Sequence, residues 1–122
     1  MNAWGEELKA RTHKFAVDVI AFVRTLPGSI ETRRIRDQLI GAACGVSGNY
    51  RAACRARSHR EFTAKLGTVL QEADEAEEWL DIIYDASLSR GDELQRLRSE
   101  SKELRAIFVK ANLTARRNDR HR

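Results

Sequence analysis

No stretch of this sequence approaches the ~20 apolar residues of a membrane span, and the opening MNAWGEELK lacks the apolar core of a signal peptide. A cytoplasmic location is expected. Proline occurs once and aromatic residues make up 7% of the chain, a composition that argues against a β-sandwich and against a disordered polymer. The two cysteines, Cys44 and Cys54, fall on one predicted helix, about 15 Å apart along its axis at 1.5 Å per residue. They cannot pair within the chain without breaking that helix. With no C-x-x-C and no Cys/His cluster, zinc is not expected, and both thiols read as buried structural residues. The E-x-x-H pairs of di-iron bundles are also missing, as are G-x-S-x-G, the P-loop and G-x-G-x-x-G. His13, His59 and His121 are scattered, with no nucleophile motif or paired carboxylate beside them. The chain therefore reads as a non-enzyme with no cofactor and no metal. An enzyme would have to rely on Glu72, Glu75 or His59, and the run Glu72 to Glu78 reads instead as an outward, charged face.

What remains is a chain of 122 residues, 42% apolar and 33% charged. That length fits one domain burying roughly two thirds of the surface its unfolded chain exposes. The net charge of +4 conceals blocks of opposite sign. Seven arginines against two acids give +5 from Ser29 to Arg60. Glu61 to Ala86 carries one lysine against eight acids, or −7, and Ser87 to Arg122 returns to +5 with ten basic and five acidic residues. Such alternation favours basic helices lying beside an acidic one, within the molecule or between copies.

Hydrophobic spacing predicts four helices. Leu8, Thr12, Phe15, Val19, Phe22 and Leu26 keep one stripe over about Gly5 to Leu26, and Pro27-Gly28 ends it. Ser29 reads as the N-cap of the second helix, with Glu31 in its first turn. That helix carries Ile35, Leu39, Ala42, Val46, Asn49 and Ala53, with Ile40, Ala43 and Tyr50 widening the face. Ser58-His59-Arg60-Glu61 is a capping box that opens the third, whose stripe is Phe62, Leu66, Val69, Ala73, Ala76, Leu80 and Ile83, extending to about Ala86. Asp92 is expected to cap the fourth, with Leu94, Leu97, Ser101, Leu104, Phe108 and Ala111 inward. Residues 1–115 form the single domain, and the basic tail 116–122 should be disordered. Four helices joined by short turns make an all-α, antiparallel, up-down-up-down four-helix bundle.

The organising stretch is Gln38 to Arg57, QLIGAACGVSGNYRAACRAR. Gly41, Gly45 and Gly48 each cost a helix about 1 kcal/mol against Ala, so close packing of another helix, from this chain or a sister chain, is the expected compensation. A kink near Gly45 to Gly48 is a second expectation. Asn49 is a polar residue in an apolar seam, a type that fixes register or oligomer state. These four residues are the candidate oligomer interface. Arg51, Arg55, Arg57 and Arg60, with Arg116, Arg117, Arg120 and Arg122 of the tail, are the candidate nucleic-acid contacts, since phosphate recognition needs only positive charge at backbone spacing. The same arginines could equally pair with the acidic third helix. No aromatic-platform RNA-binding motif is evident.

The segments RTHKFAVDVIAFVRTLP, DQLIGAACGVSGNYRAACRARSHREFTAKLGTVLQEADEAEEWLDII and SESKELRAIF together resemble the four-helix bundle proteins named for the intervening sequences of bacterial 23S ribosomal RNA genes. The resemblance spans about residues 11–115 and is most specific from Gln38 to Leu80. There Ser/Gly-Asn-Tyr-Arg precedes Glu-Phe-x-x-Lys-Leu and Glu-Ala-x-Glu-x-x-x-Trp-Leu. It implies a bundle that assembles into a ring-like homo-oligomer, commonly a pentamer, without enzymatic activity. The accessory protein of diversity-generating retroelements shares that fold and works with a reverse transcriptase and nucleic acid, so RNA or DNA and a reverse transcriptase are the implied partners. Ala52 departs from the family pattern, in which Glu is common beside Asn49. Two functional readings follow: an oligomeric helical scaffold that contacts nucleic acid or a protein that handles it, and a purely structural interaction module whose charges pair between subunits.

Overall fold

The structure, a computed structural model, describes residues 3–120 and the side chains of 5–118. It contains four helices: α1 (Ala3–Val23), α2 (Ile30–Cys54), α3 (His59–Asp85) and α4 (Asp92–Arg120). Each packs on the next in chain order, and α1 closes the bundle against α4 over the smallest of the four contacts. The helices alternate in direction, so the expected up-down-up-down bundle is what the chain forms. None of the described helices is long and apolar enough to cross a membrane.

Local chemistry sets the boundaries. Ser29, in extended backbone, accepts a hydrogen bond from the Thr32 amide and caps α2. The Arg36 guanidinium then donates to the carbonyls of Leu26 and Pro27, at 2.8 and 2.6 Å, and satisfies acceptors that the α1–α2 turn would leave open. Ser58 caps α3 by accepting from the Glu61 amide at 3.0 Å. The returning Glu61 carboxylate accepts from the Arg57 amide, one residue earlier than a capping box requires. At the other end of α3, Ser87 adopts φ 59°, while its amide reaches Tyr84 O and that of Leu88 reaches Ile83 O. This is a Schellman ending with serine where glycine is usual.

The structure departs from expectation at several points, and α1 ends at Val23 rather than at about Leu26. Helix α2 runs unbroken through Gly45 to Gly48, with Val46 and Ser47 buried between the glycines. Asp92 is the first helical residue rather than the cap. Gly91 caps instead, its carbonyl accepting from the Gln95 amide. Finally, α4 continues to Arg120 rather than ending at 115. Arginine is a good helix former, and positive charge near a helix C-terminus is favoured by the dipole, so the helix extends past the buried Ala115 through the exposed Arg116, Arg117 and Asn118.

The core is the set of inward stripes. In α1 and α3 the 4,3,4,3 spacing holds throughout: Leu8 to Leu26 and Leu66 to Ile83 are buried at every expected position, with Phe62 only half buried. In α2 and α4 the seam slips by one residue near one end. Tyr50, expected to widen the face, is buried while the seam residue Asn49 is half buried, and Asn112 and Ala115 are buried beside a half-buried Ala111. A straight helix drifts about 20° on a seven-residue repeat with each heptad, so residues flanking a seam can take over burial toward one end. Across the core the Tyr50 and Phe108 rings lie 5.5 Å apart at 56°.

Candidate nucleic-acid interface

Helix direction decides where the candidate arginines go. Helices α2 and α4 end, and α3 begins, at the same pole of the bundle as the start of α1. The pole is tied together by His59, at the first turn of α3, whose Nε2 lies 2.9 Å from the Ala115 carbonyl of α4. Arg51, Arg55, Arg57 and Arg60 therefore share this pole with Arg116 and Arg117, and all six are exposed. Lys9 and His13 of α1 line a hollow with Arg51, and Glu6 is the acid among them. Arg120 closes α4 at the same pole. Arg122 lies outside the described residues.

The acidic helix does not neutralise this group. Its Glu77 accepts from Arg105 and Lys102, and its Asp81 from Arg98 and Lys102, all on α4 and well away from the pole. Glu77 is thus half-buried in ion pairs, not part of a solvated face. Arg57 reaches Glu61 at 3.9 Å, a long contact on a side chain that is 91% exposed. Among the described residues Arg51, Arg55, Arg60, Arg116 and Arg117 have no ion pair. The intramolecular pairing expected as the alternative to phosphate contact is therefore not what these arginines do within one chain.

The glycines behave differently from one another. Gly41 and Gly48 are exposed and a Cβ on either would meet nothing within 4 Å. A Cβ on Gly45 would lie 2.7 Å from Oε2 of Glu72, which folds from α3 onto α2 at this point. Burial, and then the charge of Glu75, hold the Glu72 carboxyl above the usual carboxylate range. Asp37, Gly41 and Glu75 border the same notch. Asn49 is half buried and, within the chain, donates to the Gly45 carbonyl of its own helix at 2.9 Å rather than to a neighbouring helix. Cys44 is exposed rather than buried, because it lies on this outer stripe, and Cys54 is half buried. Both are free thiols.

The sequence model of the 23S rRNA-intervening sequence protein family matches residues 7–110. The chain belongs to that family. The family match includes the Arg51 to Arg60 half of the pole and stops before Arg116. The crystal structure of a protein of unknown function from the S23 ribosomal protein family of Bacteroides thetaiotaomicron is similar to this chain, with a TM-score of 0.78 and 22% identity. The similarity covers 85% of this chain and 96% of that one. At that identity the likeness supports the four-helix fold. No curated protein matches the sequence. Within the family fold, residue reasoning did not find a groove between α3 and α4 at the basic pole, lined in part by His59 and Phe62. Phe62, expected in the α3 seam, is half buried and packs against the edge of the core, in the first turn after the Ser58 cap.

Proposed function

We propose that this protein is a non-enzymatic helical scaffold that works as an assembly of copies and presents its basic pole to nucleic acid. The observation that carries the reading is the gathering of Arg51, Arg55, Arg60, Arg116 and Arg117 at one pole without a carboxylate partner among the described residues. Isolated cations of this kind cost nothing when solvated, and they release counterions when they meet phosphates. In an assembly each copy repeats the pole, so weak contacts multiply without base-specific readout. Assembly is supported by Gly41 and Gly48, which each cost the helix about 1 kcal/mol while, among the described residues, no neighbouring helix comes within 4 Å of where a Cβ would stand.

The test is anisotropy of a labelled structured RNA across about 50 to 200 mM salt, where phosphate contacts weaken steeply. The triple variant Arg51→Glu, Arg55→Glu, Arg60→Glu should lose binding while melting normally. Arg33→Glu with Arg34→Glu, exposed at the opposite pole, should retain it. Absence of salt-dependent binding by the intact protein would favour the structural reading, in which the charges pair between subunits.

A further inference from the structure

Four residues of α1, Glu6, Lys9, Ala10 and His13, share one helical face at i, i+3, i+4 and i+7, and Arg51 joins them from the last turn of α2. Ala10 carries only a methyl group among these longer side chains, so the surface sinks into an open-sided hollow of about 360 Å³. The polar lining is mostly hydrogen-bond donors: the Lys9 ammonium, the Arg51 guanidinium and the His13 ring. Packing leaves the Lys9 side chain only 26% exposed, which limits the positions its ammonium can take. Glu6 is the one acid of the lining. Its carboxylate lies 3.7 Å from Lys9 Nζ, longer than a hydrogen bond, on a side chain that is 61% exposed.

We propose that this hollow binds a terminal phosphate group, of the kind carried by a phosphorylated strand end and, in its simplest form, by inorganic phosphate. The inference rests on the nucleic-acid reading of the pole only for the strand that carries the group. The number and placement of donors select the ligand. A terminal phosphate offers three acceptor oxygens and close to two negative charges, one oxygen for each of Lys9, His13 and Arg51. A side-chain carboxylate offers two oxygens and one charge. A diester inside a strand also has two free oxygens, and both its ester bonds must leave the site, which suits the exposed arginines of the pole better than a hollow walled by two helices. Glu6 is the competitor for Lys9. The incoming anion displaces it, and its exposed side chain has room to swing into solvent.

The experiment has two arms on the full chain. Inorganic phosphate is titrated while NMR follows the His13 ring and the Arg51 Nε–H, and anisotropy compares a labelled single strand ending in a 5′-phosphate with the same strand ending in a 5′-hydroxyl. The 5′-phosphate strand is expected to bind about tenfold tighter, the scale of one hydrogen bond to a charged group. A 5′-hydroxyl strand one nucleotide longer adds a diester charge without a terminal phosphate and should not reproduce that gain. His13→Ala, at an exposed position, should erase the preference while leaving 5′-hydroxyl binding unchanged, and Glu6→Gln should strengthen phosphate binding by removing the competing charge. A preference that survives His13→Ala, or no strengthening in Glu6→Gln, overturns the proposal. Saturable shifts without a strand-end preference support the site and assign it to free phosphate. Neither shifts nor preference overturns the hollow, and binding of the 5′-hydroxyl strand then leaves the basic pole standing. Saturable shifts with no strand bound support the hollow and overturn the nucleic-acid reading of the pole.

Discussion

A Cβ at position 45 would begin 2.7 Å from a carboxylate oxygen of Glu72 and 2.8 Å from its carboxyl carbon. The obstacle is the far end of a flexible side chain, so it can swing into solvent. Gly45→Ala is therefore expected to stabilise the fold by up to about 1 kcal/mol through helix propensity, visible as a higher urea midpoint with unchanged m. It should also change the pH response. A carboxyl whose pKa is raised in the folded state makes the fold less stable above that pKa, and the penalty is relieved as pH falls through it. With Glu72 displaced to solvent, that relief should vanish, and NMR titration should find its carboxyl back in the ordinary range. A persistently raised Glu72 in the alanine variant would refute the displacement. At this scale the sequence was only partly informative. The cost of three glycines in one helix was legible, but that a carboxylate 27 positions later fills the space at Gly45, with nothing at Gly41 and Gly48, depends on the register of α3 against α2.

The helices themselves were largely written in local patterns. Ser29 and Ser58 announce two starts because a hydroxyl can accept from an amide two or three residues on, and the single proline marks one end. The strict spacing of α1 and α3 places nearly every seam residue of those helices. The departures in α2 and α4 are small: Tyr50, expected on the margin of the face, is more deeply buried than the seam residue Asn49, and Asn112 more than Ala111, as the drift of a 3.6-residue helix against a fixed heptad allows. The α3 cap has a particular role, since it sets the entry of the chain at the basic pole. Ser58→Ala should cost about 1 kcal/mol, measured by denaturant unfolding. Amide exchange should rise first in the opening turn of α3, around His59 to Phe62. Unchanged protection there would show that the His59 contact with Ala115, rather than the cap, fixes this turn.

At the scale of the molecule the weakest closure is between α1 and α4, and charge reinforces it. Arg11 grips Glu100 through Nε and Nη2, at 2.8 and 2.6 Å, with Glu103 at 3.4 Å, and Arg96 reaches Asp18 at 3.0 Å. Hydrogen bonds from Lys14 and then Arg96 hold the Asp18 carboxyl below its usual range, and Arg96 does the same to Glu93. Lowered carboxyls contribute stability that is present above their unfolded pKa, near 4, and lost as pH falls through the folded value. These pairs are largely exposed, so the loss should stay below about 1 kcal/mol each. Urea unfolding across about pH 7 to 3 should therefore show a decline on the acid side that Arg96→Ala flattens. An unaltered acid limb in that variant would remove Arg96 from the account. The charge blocks that feed this seam and the basic pole were visible in the sequence. Their gathering was not, since it follows from helix direction, and the groove required α3 and α4 to be laid side by side.

Alternating helix direction has a practical corollary. Because α1 begins at Ala3 and α4 ends at Arg120 on the same side of the molecule, any fluorophore, affinity handle or fused protein attached to either terminus would crowd the arginines whose binding is to be measured. The Ser87 to Gly91 turn lies at the far side, ordered by its Schellman ending, and a label at the exposed Ser87 would report on the molecule without shielding that surface. Joining the two ends by a short linker and reopening the chain at the exposed Pro27-Gly28 turn should preserve the bundle and move both new termini away from the charged side.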